Sequence, residues 1–206
     1  MSGPREWQPG AGERHTARVQ MEPGQGSNPM TEFDALVGSA AVEARRLEDD
    51  GTIPNNPELA LLVYRQAVTL PDRDPATVFE ALFTENGWPA AWRNGIYPFH
   101  HFHSTAHEAL GVYRGSATAR FGGEGGVDVT VSAGDVVIIP AGVGHKALEA
   151  SADLGIVGAY PAGTGPDLCR GAPGERPASL DAIAQVAVPG RDPLYGAEGP
   201  LREHWT

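Results

Sequence analysis

Gly95-Ile96-Tyr97-Pro98-Phe99-His100-His101-Phe102-His103-Ser104-Thr105-Ala106-His107-Glu108, closing at Gly115, and Gly134-Asp135-Val136-Val137-Ile138-Ile139-Pro140-Ala141-Gly142-Val143-Gly144-His145 decide the fold of this chain. Successive side chains of a β-strand alternate faces, so His101 and His103 point the same way, with His100 and Phe102 opposite. On a helix, residues two apart diverge by about 200° and cannot share an ion. The His-x-His spacing therefore calls for a strand, and the antiparallel return beginning at Glu108 is expected to bring its carboxylate beside the two imidazoles. Gly134-Asp135 reads as a turn, Val136 to Ile139 as a buried strand, and Pro140 to Gly144 as a second turn that faces His145 inward. Three imidazoles and one carboxylate form a borderline donor set suited to Fe, Mn, Ni, Co, Cu or Zn. Four protein ligands leave one or two positions open on a five- or six-coordinate ion, as a working rather than a closed structural site requires.

Outward from these stretches the texture stays the same. From Trp92 to Pro161, segments of roughly 6–10 residues are punctuated by glycine: 96–103, 108–114, 117–121, 127–131, 136–139, 145–149 and 154–160. Such even spacing predicts an all-β barrel or sandwich. Ahead of it, Asp74-Pro75 predicts a helix start with Asp74 as N-cap. Val78, Phe79, Leu82 and Phe83 make its apolar face, and Asn86-Gly87 its end. The apolar run Leu59–Tyr64 fits a buried strand or a short helix, and periodicity does not decide. Thr31 to Glu48, with apolar residues at Phe33, Leu36, Val37, Ala40 and Ala41, patterns as a short amphipathic helix, with a strand as the alternative for Val42–Leu47. Residues 162–206, rich in Gly and Pro, are expected to form an irregular tail with a short helix over 179–185. Residues 1–29 hold hardly any large apolar residues and are expected to be a disordered extension. Residues 30–206 are expected to form one domain, its barrel core about 92–161.

The 206 residues carry a formal net charge of −11, which argues against a nucleic-acid or anionic-membrane partner. The chain has no apolar run long enough to span a bilayer and no secretory-type N-terminus. Cys169, the lone cysteine, precludes an intramolecular disulfide. Together these lead to an expected cytoplasmic location. Gly122-Gly-Glu-Gly-Gly126 lacks the Lys-Ser/Thr ending of a phosphate loop and reads as a hairpin.

The two opening stretches resemble the paired cupin motifs. The first, G-x5-H-x-H-x4-E-x6-G, runs through Gly95, His101, His103, Glu108 and Gly115. The second, G-x5-P-x-G-x2-H-x3-N, runs through Gly134, Pro140, Gly142 and His145, with Glu149 in place of the final Asn. The resemblance implies a double-stranded β-helix (jelly-roll) barrel holding one divalent transition metal on His101, His103, Glu108 and His145. A narrower similarity to YjlB-like cupins covers roughly residues 45–206. It is carried by Asp50-Gly-Thr-Ile-Pro-Asn-Asn-Pro57, Trp88, Trp92-Arg93-Asn94-Gly95, His101-Phe-His-Ser104, Glu108-Ala-Leu-Gly-Val-Tyr-Arg-Gly115 and Asp192-Pro-Leu-Tyr-Gly196. It implies that the Asn-Asn segment and the tail belong to the domain, and it supplies no reaction.

Strand parity nominates Tyr97, Phe99 and Glu149 as pocket residues, with barrel core the alternative for the aromatics and solvation at the barrel mouth for Glu149. His107 reads as an exposed turn histidine, and His100 as a packing or dimer contact. Arg93, Arg114 and Arg120 read as exposed, or as holders of a carboxylate substrate. The function expected is that of a metal-dependent enzyme acting on a small organic molecule. A dioxygenase-type oxidoreductase is expected on family analogy; isomerase or lyase chemistry on Zn, Mn or Ni, and a non-catalytic metal-bearing binding or sensor module, are the alternatives. The family also implies a homodimer. No catalytic residue beyond the ligands can be named from spacing.

Overall fold

The structure, a computed structural model, describes residues 33–206. The expected disordered extension, residues 1–29, lies outside the described residues. The chain runs β1 (Ala41–Leu47), β2 (Asn56–Arg65), α1 (Pro75–Glu85), β3 (Ala90–Asn94), β4 (Glu108–Arg114), β5 (Ser116–Phe121), β6 (Val127–Ser132), β7 (Val136–Ile139), β8 (His145–Ala150), β9 (Gly155–Ala159), α2 (Arg176–Gln185) and α3 (Pro200–His204). Six strands form one sheet, in the order β1-β2-β7-β4-β9-β3, and three form a second, β6-β5-β8. Every ladder is antiparallel. This is the expected all-β jelly-roll barrel.

Both faces of the central strands β2, β7, β4 and β9 of the large sheet are buried, which is why these strands read as largely apolar runs. Leu61 and Val63 of β2, Leu110 and Val112 of β4, and Val137 and Ile139 of β7 point between the sheets. There they meet Ala119, Phe121, Val129 and Val131 of the small sheet. Their strand neighbours Leu62, Tyr64, Ala109 and Ile138 face outward onto Val78, Phe79, Leu82 and Phe83 of α1. Phe79 lies flat on Gly111, where a Cβ would stand 2.5 Å from the ring. A glycine in mid-strand is thus the seat for the helix, at the cost of some intrinsic strand stability.

Of the two readings open for the run 59–64, the strand holds, extended to Asn56–Arg65 and central enough to pair with both β1 and β7. Other expectations are corrected. The expected strand over 96–103 is absent. Pro98 brings no N–H, and the segment pairs only at isolated bridges, His101 with His145 and Phe102 with Cys169. β3, at 90–94, takes the sheet edge instead. Asp74 precedes α1 in a left-handed conformation, φ 47°, and makes no side-chain cap. Its carboxylate instead accepts from the Thr77 hydroxyl and from Arg93.

The expected tail helix is α2, begun at Arg176, and α3 adds a second helix that was not expected. Leu194, Leu201 and Trp205 join the core on the outer face of the large sheet. Asp192, fully buried, organises this docking. One carboxylate oxygen accepts from Leu194 and Tyr195 N–H, the other from Tyr64 Oη and Leu201 N–H.

Candidate metal centre

Segment 101–103 lies across the end of the barrel, β8 begins the return of the small sheet, and Glu108 opens β4 in the large sheet. Their side chains converge between the sheets. His101 N–H donates to His145 O (3.2 Å) and His145 N–H to His101 O (2.9 Å), which brings the ring centroids to 4.1 Å. The carboxylate therefore arrives from the opposite sheet: β4 pairs with β7 and β9, and not with the histidine segment as the expected hairpin return required.

The ring orientations follow from their backbone partners. A carbonyl only accepts, so each Nδ1 facing one must carry the proton. His101 Nδ1 faces Phe99 O at 3.3 Å, His145 Nδ1 faces Val143 O at 3.3 Å, and His103 Nδ1 donates to Asp167 O. Each neutral ring is thereby left with a free Nε2 lone pair, the orientation in which a metal-binding imidazole is held. One nitrogen from each of the three rings lies within 4.8 Å of the other two. Glu108 Oε2 is 3.6 Å from His103 Nε2 and 3.4 Å from His145 Nε2. It is buried without a hydrogen-bond partner. An unpaired buried carboxylate oxygen costs several kcal/mol unless a cation serves it.

Electrostatics sharpen the picture. Burial, reinforced by the His145 ring, pushes His101 down to about 3. Burial opposes charge on His103 as well, but the adjoining Glu108 carboxylate outweighs it and raises His103 above its ordinary value. Glu108 is held well below the carboxylate range: burial works the other way, and the neighbouring His103 and His145 override it.

The turn that delivers His145 is pinned by the Asn-Asn segment. Asn55 donates to Glu48 O and Gly122 O and accepts from Gly144 N–H; Asn56 donates to Ala141 O. Gly142, at φ +91°, passes so close to Asn55 O that a Cβ would stand 2.4 Å from it.

A cavity of about 340 Å³ opens from the four residues. Tyr97 lines it, stacked on Phe99 with ring centroids 4.9 Å apart, and both rings contact His101 edge-on. Phe99 itself sits behind Tyr97, under the Arg170 guanidinium at 4.0 Å, and does not line the cavity. Glu149 is exposed and outside it. A register shift between Thr118 and Ala119, where Glu149 pairs Thr118 and Ala147 pairs Ala119, breaks the parity counted from His145. Arg93 is tied to Glu80 and Asp74, Arg120 to Asp128, and Arg114 is exposed; none reaches the cavity.

His107 is corrected from exposed to buried. Its Nδ1 accepts from Ala141 N–H at 2.9 Å, and its ring packs 4.7 Å from Trp205. Burial pushes it down to about 4. His100 is half-buried, 3.7 Å from Glu124.

Sequence reasoning missed two contributors. Tyr160 donates from Oη to Glu108 Oε1 at 2.7 Å, and Asp167 supplies the carbonyl that orients His103. The Asp167 carboxylate is held in turn by Ser104 N–H, Ser104 Oγ and Cys169 Sγ. The available signals were Tyr160 at the end of a predicted strand and Ser104 directly after the His-x-His pair.

A stability prediction follows for the metal-free protein. His101 and His107 titrate at about 3 and about 4 folded, against about 6.5 unfolded. The unfolded chain therefore binds more protons below about pH 6.5, and stability falls as pH drops from there toward the folded values. His103 is raised, so its contribution is complete below about 6.5 and is lost only as pH rises. Between pH 6.5 and 5 His101 and His107 are each expected to cost up to about 1.4 kcal/mol per pH unit, and His100, half-buried and also lowered by burial, adds a smaller part. Urea midpoints across that range measure the slope. His107→Gln should remove about half of the two-histidine slope, and an unchanged slope in that variant would exclude His107 as a source.

The β-strand order and the motif residues, complete at the four ligand positions, define a cupin. YjlB, an uncharacterized protein of Bacillus subtilis (strain 168), is 44% identical over 158 residues, covering 77% of this chain and 93% of that one. The chain belongs to the YjlB family of cupins. No family model matches it. Solved structures it resembles include a DUF861 family protein from Thermotoga maritima, at TM-score 0.28 and 20% identity over 44% of this chain and 94% of that one. Another is RmlC from Streptococcus suis with dTDP-D-xylose, at TM-score 0.32 and 14% identity over 80% and 93%. At such scores these likenesses say nothing about substrate or reaction. Among the described residues, no helix is long and apolar enough to cross a membrane.

Proposed function

We propose that the chain binds one divalent transition-metal ion through His101, His103, Glu108 and His145, and that it is a metal-dependent enzyme acting on a small organic molecule. The observation that carries this reading is three imidazoles, each with Nδ1 on a carbonyl and with one nitrogen within 4.8 Å of the other two, beside a buried carboxylate oxygen without a partner that faces His103 and His145, at the floor of a 340 Å³ cavity. A bound ion supplies Lewis acidity or, as Fe(II), dioxygen chemistry. The chain's own part is to keep the donors oriented and to give the substrate an apolar wall at Tyr97, Ile96 and Leu110. Residues 30–206 acting as one domain, in the cytoplasm, go with this reading.

The test is elemental analysis of protein purified without chelator or metal column, followed by oxygen uptake with Fe(II) and a panel of small aromatic and carbonyl compounds. One equivalent of metal and substrate-dependent uptake support a dioxygenase-type oxidoreductase. Metal without uptake, but with turnover on Zn, Mn or Ni, moves the assignment to isomerase or lyase chemistry. Metal with no turnover on any of them leaves a binding module. Protein that neither carries nor takes up metal overturns the reading.

A further inference from the structure

Glu108 presents its two oxygens to different worlds. Oε2 is the unpartnered atom facing His103 and His145. Oε1 accepts from Tyr160 Oη at 2.7 Å, and Tyr160 Oη in turn accepts from Trp92 Nε1–H at 3.1 Å. The indole N–H can only donate, so it fixes the phenol proton on the Glu108 side. The strands are built to hold this chain of bonds. Trp92 pairs Gly158 across β3 and β9, and the indole lies on that glycine so closely that a Cβ would stand 2.1 Å from it. Tyr160 follows two residues after Gly158 and lines the cavity together with Trp92.

We propose that Tyr160, oriented by Trp92, is a positioning residue that occupies Glu108 Oε1 and so limits the carboxylate to a single oxygen, Oε2, toward the metal. This rests on the metal reading above. Without the phenol, Oε1 is free to turn toward the ion, the carboxylate can grip with both oxygens, and a position otherwise open to substrate is consumed. Two residues that the ligand motifs do not include thereby set the number of open positions.

The experiment titrates metal-free full-length protein with Co²⁺ and follows both affinity and the visible absorption band, whose intensity and position report coordination number. Tyr160→Phe is expected to bind one equivalent with a Kd changed about tenfold, the scale on which a ligand's hydrogen-bond partners act. Its band should be weaker and shifted, as a higher coordination number gives. Trp92→Phe and Gly158→Ala leave Tyr160 and Glu108 in place and should shift the band in the same sense by a smaller amount. Should Tyr160→Phe fail to fold, these two variants decide by the same readout. A Co²⁺ band in all folded variants that superimposes on wild type overturns the positioning role while leaving the metal site intact. Wild-type protein that takes up no Co²⁺ overturns the metal reading and this proposal together.

Discussion

The double variant His101→Ala/His103→Ala is expected to lose its metal altogether, from about one equivalent to near zero, while remaining folded. The two imidazoles contribute half of the donor set, and what remains, Glu108 and His145, is too few for a stable transition-metal site. Folding should survive because the partners released, the carbonyls of Phe99 and Asp167, are acceptors beside an open cavity that water can reach. Elemental analysis after desalting measures the first claim and circular dichroism the second. His107→Ala is the control, since that ring bonds Ala141 N–H and packs on Trp205 away from the four donors. A full equivalent of metal in the double variant would sink the assignment of these residues.

Asp192→Ala is expected to destabilise the protein by about 3–5 kcal/mol, the scale for breaking a buried charged network. The carboxylate is fully buried and accepts four hydrogen bonds. Alanine leaves one hydroxyl and three backbone N–H groups without an acceptor, and an unpaired buried group costs about 1–3 kcal/mol. Asp192→Asn, which keeps one acceptor oxygen, should lose less. The effect should also travel. Loosening the tail frees Trp205, whose indole donates to Ala60 O and whose ring covers His107. Urea unfolding at constant slope gives the number, and a loss under about 1 kcal/mol would show that the tail is not held by this carboxylate.

Much of the centre was legible in the sequence because it depends on short-range geometry. The parity of His101 and His103 holds although their segment is not a regular strand: Phe102 faces Ile53 and Cys169, while the histidines face the cavity. Glycine-punctuated segments located β4 to β9 to within a residue or two, since each turn carries its own residue chemistry. What failed depends on register and on distant chain. Glu149 left the pocket because Leu148 is bulged out between the Ala147 and Glu149 pairings, which changes parity beyond Ala147, and nothing local announces it. His107 looked solvated because the tryptophan that covers it lies 98 positions further along the chain. Tyr160 and Asp167 act through a side chain and a carbonyl brought in by strand order, which periodicity does not encode.

The reciprocal backbone bonds between His101 and His145 have a mechanical meaning. The two residues cannot part without breaking both bonds, so their imidazoles behave as one moving piece. Glu108 is a second piece, fixed in β4 between β7 and β9. His103 is a third, and it alone is tethered to the segment that follows the barrel, through the carbonyl of Asp167. That same segment lines the cavity with Pro166, Asp167 and Leu168. A molecule that pushes on this wall on entering therefore reaches the centre through the His103 ring and through the paired backbone of Phe102 and Cys169, while Glu108 and His145 stay where the sheets hold them.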